Sequence, residues 1–138
     1  CEDIKVRNPN SIRPYQHVLE PLYVYLMIAA AQYDNESVAD WYNVGPNESD
    51  CLTTGELAGC FCDAWGGGQS YVAEHKDGPH EANFLKLDCS KVKSVFGWKP
   101  RWTARQAVEK TVEWTKAYAD KEDMAEFTAK QIKEFFNI

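Results

Sequence analysis

The sequence predicts a mixed α/β fold in which helices predominate. Two capping-box pairs, Thr53 with Glu56 and Thr103 with Gln106, mark the starts of helices. Short runs of strand-forming residues end at clusters of Gly, Pro or Asn. With 138 residues, of which 44% are hydrophobic and 13% aromatic, the chain is long enough to form one domain with a buried core.

The expected elements follow in order along the chain. Residues 4–7 form a strand that ends at the turn Asn8-Pro9-Asn10, and residues 18–33 form a helix that is apolar on all faces. Further strands are expected at 41–47, 70–75 and 84–87, and further helices at 53–65, 90–96, 103–118 and 124–135. The strands are too few and too short to make a self-sufficient sheet.

Charge and hydropathy limit the classes of partner. The formal net charge is -6 and the sequence pI is about 5.0, so we expect no binding to nucleic acid and none to an anionic membrane surface. The longest apolar stretch, residues 22–31, is far shorter than the roughly 20 residues of a membrane span. Any phosphate would therefore be bound by local contacts.

The cysteines indicate a reducing compartment. Their number, five, is odd and their spacing is uneven, which favours free thiols in a cytoplasmic protein over a disulfide framework. No basic, apolar and small-residue segment marks the N-terminus for export. Because the chain begins at Cys1 rather than at a methionine, we expect that it continues upstream.

Motifs of cofactor binding and catalysis are missing from these residues. The sequence contains no Gly-x-Gly-x-x-Gly loop, no P-loop and no Gly-x-Ser-x-Gly nucleophile elbow. None of the seven tyrosines is followed by a lysine four positions later. We therefore assign no catalytic residue.

A zinc module is a minor alternative. Cys60, Cys62, His75 and His80 are of zinc-ligand type within a short span. Residues two apart on a helix point about 200° away from each other, so the two cysteines would not face one ion. We expect no metal site.

Arg13 stands out because it follows a turn and precedes an aromatic residue in "NPNSIRPYQHVLEP", residues 8–21. A guanidinium there can bind a phosphate with two hydrogen bonds, while the Tyr15 ring packs nearby. A structural salt bridge is the alternative, and the local sequence does not separate the two.

Four segments in order resemble the C-terminal portion of the CDP-glucose 4,6-dehydratase family, a branch of the extended short-chain dehydrogenase/reductase superfamily. They are "RNPNSIRPYQHVLEPL", "WYNVGPNE", "HEANFLKLDCSKVKSVFGWKPRW" and "DMAEFTAKQI". The run Arg-Pro-Tyr-Gln-His-Val-Leu-Glu-Pro, together with Pro-His-Glu-Ala, is the narrower signal for the CDP-glucose branch.

The resemblance implies an activity for a longer parent enzyme. In this family a tightly bound NAD takes a hydride from C4 of the sugar, water leaves across C5 and C6, and the hydride returns to C6. The product is a 4-keto-6-deoxy sugar, a precursor in deoxysugar biosynthesis such as that of lipopolysaccharide O-antigen. The NAD loop and the Tyr-x-x-x-Lys pair belong to the N-terminal Rossmann half, so this chain alone is expected to perform no redox chemistry.

The resemblance also assigns substrate-binding residues. Arg13 matches the arginine that contacts the diphosphate, Tyr15 lies in the same wall, and Asn47 corresponds to an asparagine near the nucleotide. His17 matches a motif position, but we expect a structural hydrogen bond from it.

One loop departs from the wider superfamily. Relatives carry an arginine and then a histidine or aspartate where this chain has Gly78 and Glu81. His80 or Lys86 is expected to replace the missing cation, and Glu81 to accept from a ribose hydroxyl. Asp88 and Ser90 are interpreted as helix capping, and Trp98, Pro100 and Trp102 as packing.

As a whole, residues 1–138 are interpreted as one C-terminal substrate-binding segment. Residues 18–47 would pack on the Rossmann sheet of the parent, and residues 48–138 would form a small nucleotide-sugar-binding subdomain. The partners implied are a CDP-sugar and the N-terminal Rossmann half, and self-association through the uncovered helix is a further expectation. The main rival hypothesis is a non-enzymatic nucleotide-sugar-binding or regulatory domain.

Overall fold

The computed structural model describes residues 2–74 and 83–138. Within these ranges the chain forms five α-helices and four short strands. The strands are β1 (Ile4–Val6), β2 (Ile12–Arg13), β3 (Leu52–Thr53) and β4 (Tyr71–Ala73). The helices are α1 (Leu19–Asp34), α2 (Thr54–Trp65), α3 (Ser90–Phe96), α4 (Ala104–Ala119) and α5 (Met124–Phe136). The helix-rich α/β class predicted from the sequence is confirmed.

The strands pair as two small sheets. In the first, β1 runs parallel to β4, with Ile4 opposite Tyr71. In the second, β2 runs antiparallel to β3, with Arg13 opposite Leu52. A single parallel bridge joins Ile12 to Phe84, so β2 lies between β3 and the segment 83–85. Two-stranded sheets are marginal on their own, and helix packing must stabilise them.

Local capping fixes where the helices begin. Both predicted capping boxes form: Thr53 accepts from the N–H of Glu56, and Thr103 accepts from that of Gln106. Asp123 caps α5 by accepting from Ala125 and Glu126. Each side chain satisfies N–H groups that have no partner inside the helix.

Glycines end two of the helices, as predicted. Gly97 follows α3 with a φ of 62°, in the left-handed region that favours glycine. Gly66 follows α2 with a φ of 74°. The chain therefore turns at both points without the strain that a Cβ would add.

A buried cluster joins α1 to α3 and the loop after it. Val24 of α1 packs with Cys89, Val92 and Trp98, each of them at most 5% exposed. Trp98 and Trp102 are both buried, which confirms that they serve packing. The loop that carries Trp98 and Trp102, between α3 and α4, therefore anchors α1 to the C-terminal helices.

The predicted strand at 41–47 is wrong, and the one at 84–87 forms only in part. Residues 41–47 and 85–87 lie outside any strand, and only Phe84 makes a bridge. Side-chain amides occupy carbonyls there: Gln16 Nε2 donates to Val44 O at 3.0 Å, and Asn43 Nδ2 to Asp88 O at 3.2 Å. A strand needs a backbone partner, and local turn signals do not show whether one is present.

One side of α1 is apolar and exposed. Val18, Leu22, Tyr25, Leu26 and Tyr33 are between 47% and 92% exposed. These residues recur at helical spacing, so they form one stripe. No helix in the described ranges combines the length and the apolar character that crossing a bilayer requires.

Candidate functional site

Arg13 lies at the junction of three chain segments. It is the last residue of β2, and its Nη1 donates to the carbonyl of Ile12 at 2.9 Å. The same carbonyl accepts the N–H of Leu85 at 3.1 Å. The guanidinium therefore lies at the edge that β2 shares with the segment 83–85. Among the residues that the structure describes, no carboxylate forms an ion pair with Arg13, so the salt-bridge alternative finds no partner there.

Tyr15 lies near Arg13 in the backbone but points its hydroxyl elsewhere. Its N–H donates to Arg13 O at 3.0 Å, and its hydroxyl shares a hydrogen bond with Thr54 Oγ1 at 2.9 Å. Thr54 also bonds the side chain of Ser11 at 2.9 Å. This polar network ties the segment after β2 to the start of α2. The Tyr15 hydroxyl thereby fixes the direction of the chain at Arg13.

Asn47 and Lys86 belong to one polar cluster. Asn47 Oδ1 accepts from Lys93 Nζ at 2.8 Å. The next residue, Glu48, accepts from Lys86 Nζ at 2.9 Å. Lys86 directly follows Leu85, whose N–H is bonded to β2. Backbone pairing thus brings the segment that carries Lys86 next to β2, which carries Arg13, and the turn at 47–50 lies beside Lys86. We call Arg13, Lys86, Lys93, Asn47 and Glu48 the cationic edge.

Lys93 is the cation that sequence reasoning missed. It lies on α3, and the ammonium hydrogen-bonds a neutral amide rather than a carboxylate. Lys91, two residues earlier, instead pairs with Asp40 at 2.5 Å. Nothing in the local sequence separates these two lysines, because only packing decides which of them faces Asn47.

The turn that carries Asn47 and Glu48 is closed by an internal hydrogen bond and anchored at Asp50. Asp50 N donates to Asn47 O at 2.9 Å, which closes the 3-10 turn Glu48–Asp50. Asp50 Oδ2 accepts from the N–H of Ala104 at 2.7 Å, at the start of α4. The backbone of the cationic edge is therefore held by α4 as well as by β3.

Two other predicted site residues, His80 and Glu81, lie outside the described residues, as does His75. Their roles remain predictions. Asp88 behaves as predicted, since its Oδ1 accepts from the N–H of Ser90 at 2.9 Å. Hydrogen bonds from Ser90 hold the pKa of Asp88 below its usual value, and Lys93 adds a smaller attraction.

His17 has the structural role expected of it. Its Nδ1 accepts from the N–H of Leu19 at 3.2 Å. Its ring packs in a T-shaped arrangement with that of Trp102, and the two ring centroids are 4.8 Å apart. The residue is 8% exposed, and burial lowers its pKa. His17 is therefore a neutral ring that caps the start of α1.

An apolar groove of about 520 Å³ lies between β1, α2 and α4. Leu57, Phe61 and Val108 line it, and Tyr15 and Thr54 form its polar end. In the described part of the chain no charged side chain lines this groove. Its walls suit an apolar group rather than a phosphate.

The thiols form no metal centre in the described ranges. Cys51, Cys60, Cys62 and Cys89 are free, and no group of three metal-ligating side chains comes together there. Cys60 and Cys62 are both buried in α2. Burial raises the pKa of the Cys62 thiol, which disfavours the thiolate that zinc requires.

The described residues do not fit a dinucleotide. NAD-binding folds place the pyrophosphate on a glycine-rich turn between a strand and the N-terminus of a helix. Here the consecutive glycines Gly66, Gly67 and Gly68, all with positive φ, follow the C-terminus of α2. That end of a helix carries partial negative charge, which repels a phosphate.

Comparison with known proteins gives one informative match. The chain is 36% identical over 137 residues to CDP-glucose 4,6-dehydratase of Salmonella typhimurium. The match covers 99% of this chain but 38% of that relative. No protein-family model matches the chain. The resemblance predicted from the sequence motifs is confirmed, and the partial coverage is consistent with a C-terminal portion.

Proposed function

We propose that the chain forms the nucleotide-sugar-binding portion of an NAD-dependent CDP-glucose 4,6-dehydratase. The complete enzyme would be a lyase that converts CDP-glucose to CDP-4-keto-6-deoxyglucose by dehydration. The observation that carries the proposal is the 36% identity along nearly the whole chain. The resemblance matches Arg13 to a diphosphate ligand, and Arg13 has no carboxylate partner among residues 2–74 and 83–138.

The cationic edge has the chemistry that a nucleotide diphosphate requires. A guanidinium offers two parallel N–H donors to one phosphate, and an ammonium acts as a point charge for the other. Arg13 belongs to β2, Lys86 follows the segment 83–85 that pairs with β2, and Lys93 belongs to α3. Asn47 would bind by its amide when Lys93 turns to the ligand. Because the overall charge of -6 repels anions at long range, binding of a diphosphate would depend on these local cations.

NAD would be bound by another part of the enzyme. When bound, it would take up and return the hydride of the dehydration. The described residues of this chain would hold the nucleotide diphosphate in place and contribute no proton acceptor at the sugar. We therefore expect the isolated 138-residue chain to bind CDP without converting CDP-glucose.

Calorimetric titration of CDP into the chain tests the proposal. The Arg13→Ala variant should lose about 1.5–3 kcal/mol of binding free energy, because a charge-assisted hydrogen bond is removed. Arg105→Ala is the matched control, since Arg105 is exposed on α4 and pairs only loosely with Asp63 at 3.7 Å. Equal CDP affinity of the wild type and Arg13→Ala would remove Arg13 from the site. Absence of CDP binding by the wild type would contradict the proposal itself.

A further inference from the structure

Glu48 and Lys86 form an ion pair inside the cationic edge. Glu48 Oε1 lies 2.9 Å from Lys86 Nζ. This attraction holds the pKa of the Glu48 carboxyl below its usual value, so the carboxylate is charged at neutral pH. In the structure, therefore, the ammonium that would meet a ligand phosphate already has an anion beside it.

The two partners differ in how firmly they are held. The Lys86 side chain is 28% exposed, and its Nζ lies 5.2 Å from the centroid of the Phe84 ring. Its neighbour Leu85 is hydrogen-bonded to β2. The Glu48 side chain is 83% exposed, and Lys86 is its only hydrogen-bond partner in the described ranges. The cation is thus fixed in place, whereas the carboxylate is free to rotate into solvent.

The turn beneath Glu48 does not have to move when the side chain rotates. Its backbone is closed by the bond from Asp50 N to Asn47 O and is tied to α4 by Asp50. An exposed ion pair of this kind is weak, because solvent screens it and side-chain entropy opposes it. A diphosphate, which brings more negative charge than one carboxylate, would displace it.

From this geometry we propose that Glu48 is an internal anion that competes with the diphosphate of the nucleotide for Lys86 and thereby lowers the affinity of the site. This inference rests on the proposed function of the cationic edge. Glu48 would thus tune the affinity for the nucleotide by competing with its diphosphate, and would not itself bind the ligand. Nearby, Lys93 hydrogen-bonds the neutral Asn47 amide, and its attraction to the Asp88 carboxylate is only a minor influence on that carboxyl.

The test is a double-mutant cycle read by calorimetric titration with CDP and with cytidine. Glu48→Gln keeps the size of the side chain and removes its charge. We expect CDP to bind about 2- to 5-fold more tightly to this variant, the range that an exposed ion pair supports. Cytidine lacks phosphate, so its affinity should not change.

The background variants identify the cation involved. In Lys86→Met the substitution Glu48→Gln should tighten CDP binding less than in the wild type, because the contested ammonium is gone and only the direct repulsion between carboxylate and diphosphate is relieved. In Lys93→Met the same substitution should still tighten binding. An unchanged or weaker CDP affinity of Glu48→Gln, or an equal gain in the Lys86→Met background, would overturn the inference while CDP binding by the wild type upheld the proposed function. Failure of the wild type to bind CDP at all would overturn both.

Discussion

The carboxylate of Glu20 accepts the backbone N–H of Trp102, 82 residues later in the chain, at 2.9 Å. The same oxygen accepts the N–H of Arg101 at 2.7 Å, and Glu20 has no exposed surface. The other oxygen, Oε2, has no hydrogen-bond partner in the described structure. This one side chain therefore joins the first turn of α1 to the loop that precedes α4.

Truncation of Glu20 should destabilise the protein. In Glu20→Ala two buried N–H groups lose their acceptor, and we expect a loss of about 2–4 kcal/mol in the free energy of unfolding. Glu20→Gln keeps an acceptor oxygen for both groups and should retain most of the stability. Urea denaturation of the two variants and the wild type measures this difference, and an equal loss in both would contradict the acceptor role.

The titration of Glu20 should appear in the pH dependence of stability. Burial raises the pKa of Glu20 above the ordinary 4.5, so the folded state keeps the proton to higher pH than the unfolded state does. The free energy of unfolding should therefore fall as pH rises from about 4.5 through the raised pKa. Glu20→Gln lacks this contribution and should gain stability relative to the wild type as the pH rises above 4.5 through the raised pKa. A difference between the two proteins that does not change with pH would refute the prediction.

His17 should show the opposite dependence. Because burial lowers its pKa below 6.5, the unfolded chain binds a proton more readily than the folded protein. Stability should thus fall as pH drops from 6.5 through the lowered pKa, and should not depend on this group at higher pH. An NMR titration of the imidazole signals, assigned with a His17→Gln variant, gives the midpoint directly. A midpoint at or above 6.5 would contradict the burial argument.

Arg101 should stabilise the contact between α1 and α5. The guanidinium carbon lies 5.0, 5.5 and 5.2 Å from the ring centroids of Tyr23, Phe135 and Phe136. Its Nη1 also donates to Phe135 O at 3.3 Å. We expect Arg101→Met to lower the free energy of unfolding by about 1–2 kcal/mol, since the cation–π contacts disappear.

Arg105→Met is the matched control for this measurement. Arg105 belongs to α4 and contacts Asp63 at 3.7 Å with both side chains largely exposed. Such a pair contributes little, so we expect a change below about 0.5 kcal/mol. If urea denaturation gives similar losses in the free energy of unfolding for the two variants, the contacts of Arg101 with the three rings do not stabilise the fold.

Two glycines should respond to alanine with opposite signs. Gly97 has a φ of 62°, and alanine there would be strained, so Gly97→Ala should destabilise by about 1 kcal/mol. Gly59 lies inside α2, where a Cβ would meet no atom within 4 Å. Gly59→Ala should therefore stabilise by about 0.5–1 kcal/mol through helix propensity. Thermal denaturation of both variants checks the pair, and a change of the same sign in both would contradict it.

The sequence was sufficient where a structure depends on neighbouring residues. Thr53 and Thr103 specify helix starts because the capping hydrogen bonds close within three residues. Gly97 specifies a helix end because a glycine adopts a positive φ without strain, whatever its neighbours are. The motifs also carried the resemblance that the 36% identity supports.

The tertiary structure decided which side chains meet. Residues 41–47 form no strand, and the Val44 carbonyl accepts a hydrogen bond from the Gln16 side chain instead of from a neighbouring backbone. Packing also decides that Lys93 hydrogen-bonds Asn47, that Lys91 pairs with Asp40, and that Glu48 pairs with Lys86. The physical reason is the separation of the partners along the chain. Caps and turns are formed by bonds between near neighbours, whereas the strand pairings and these three polar pairs join residues tens of positions apart and depend on how the whole chain packs.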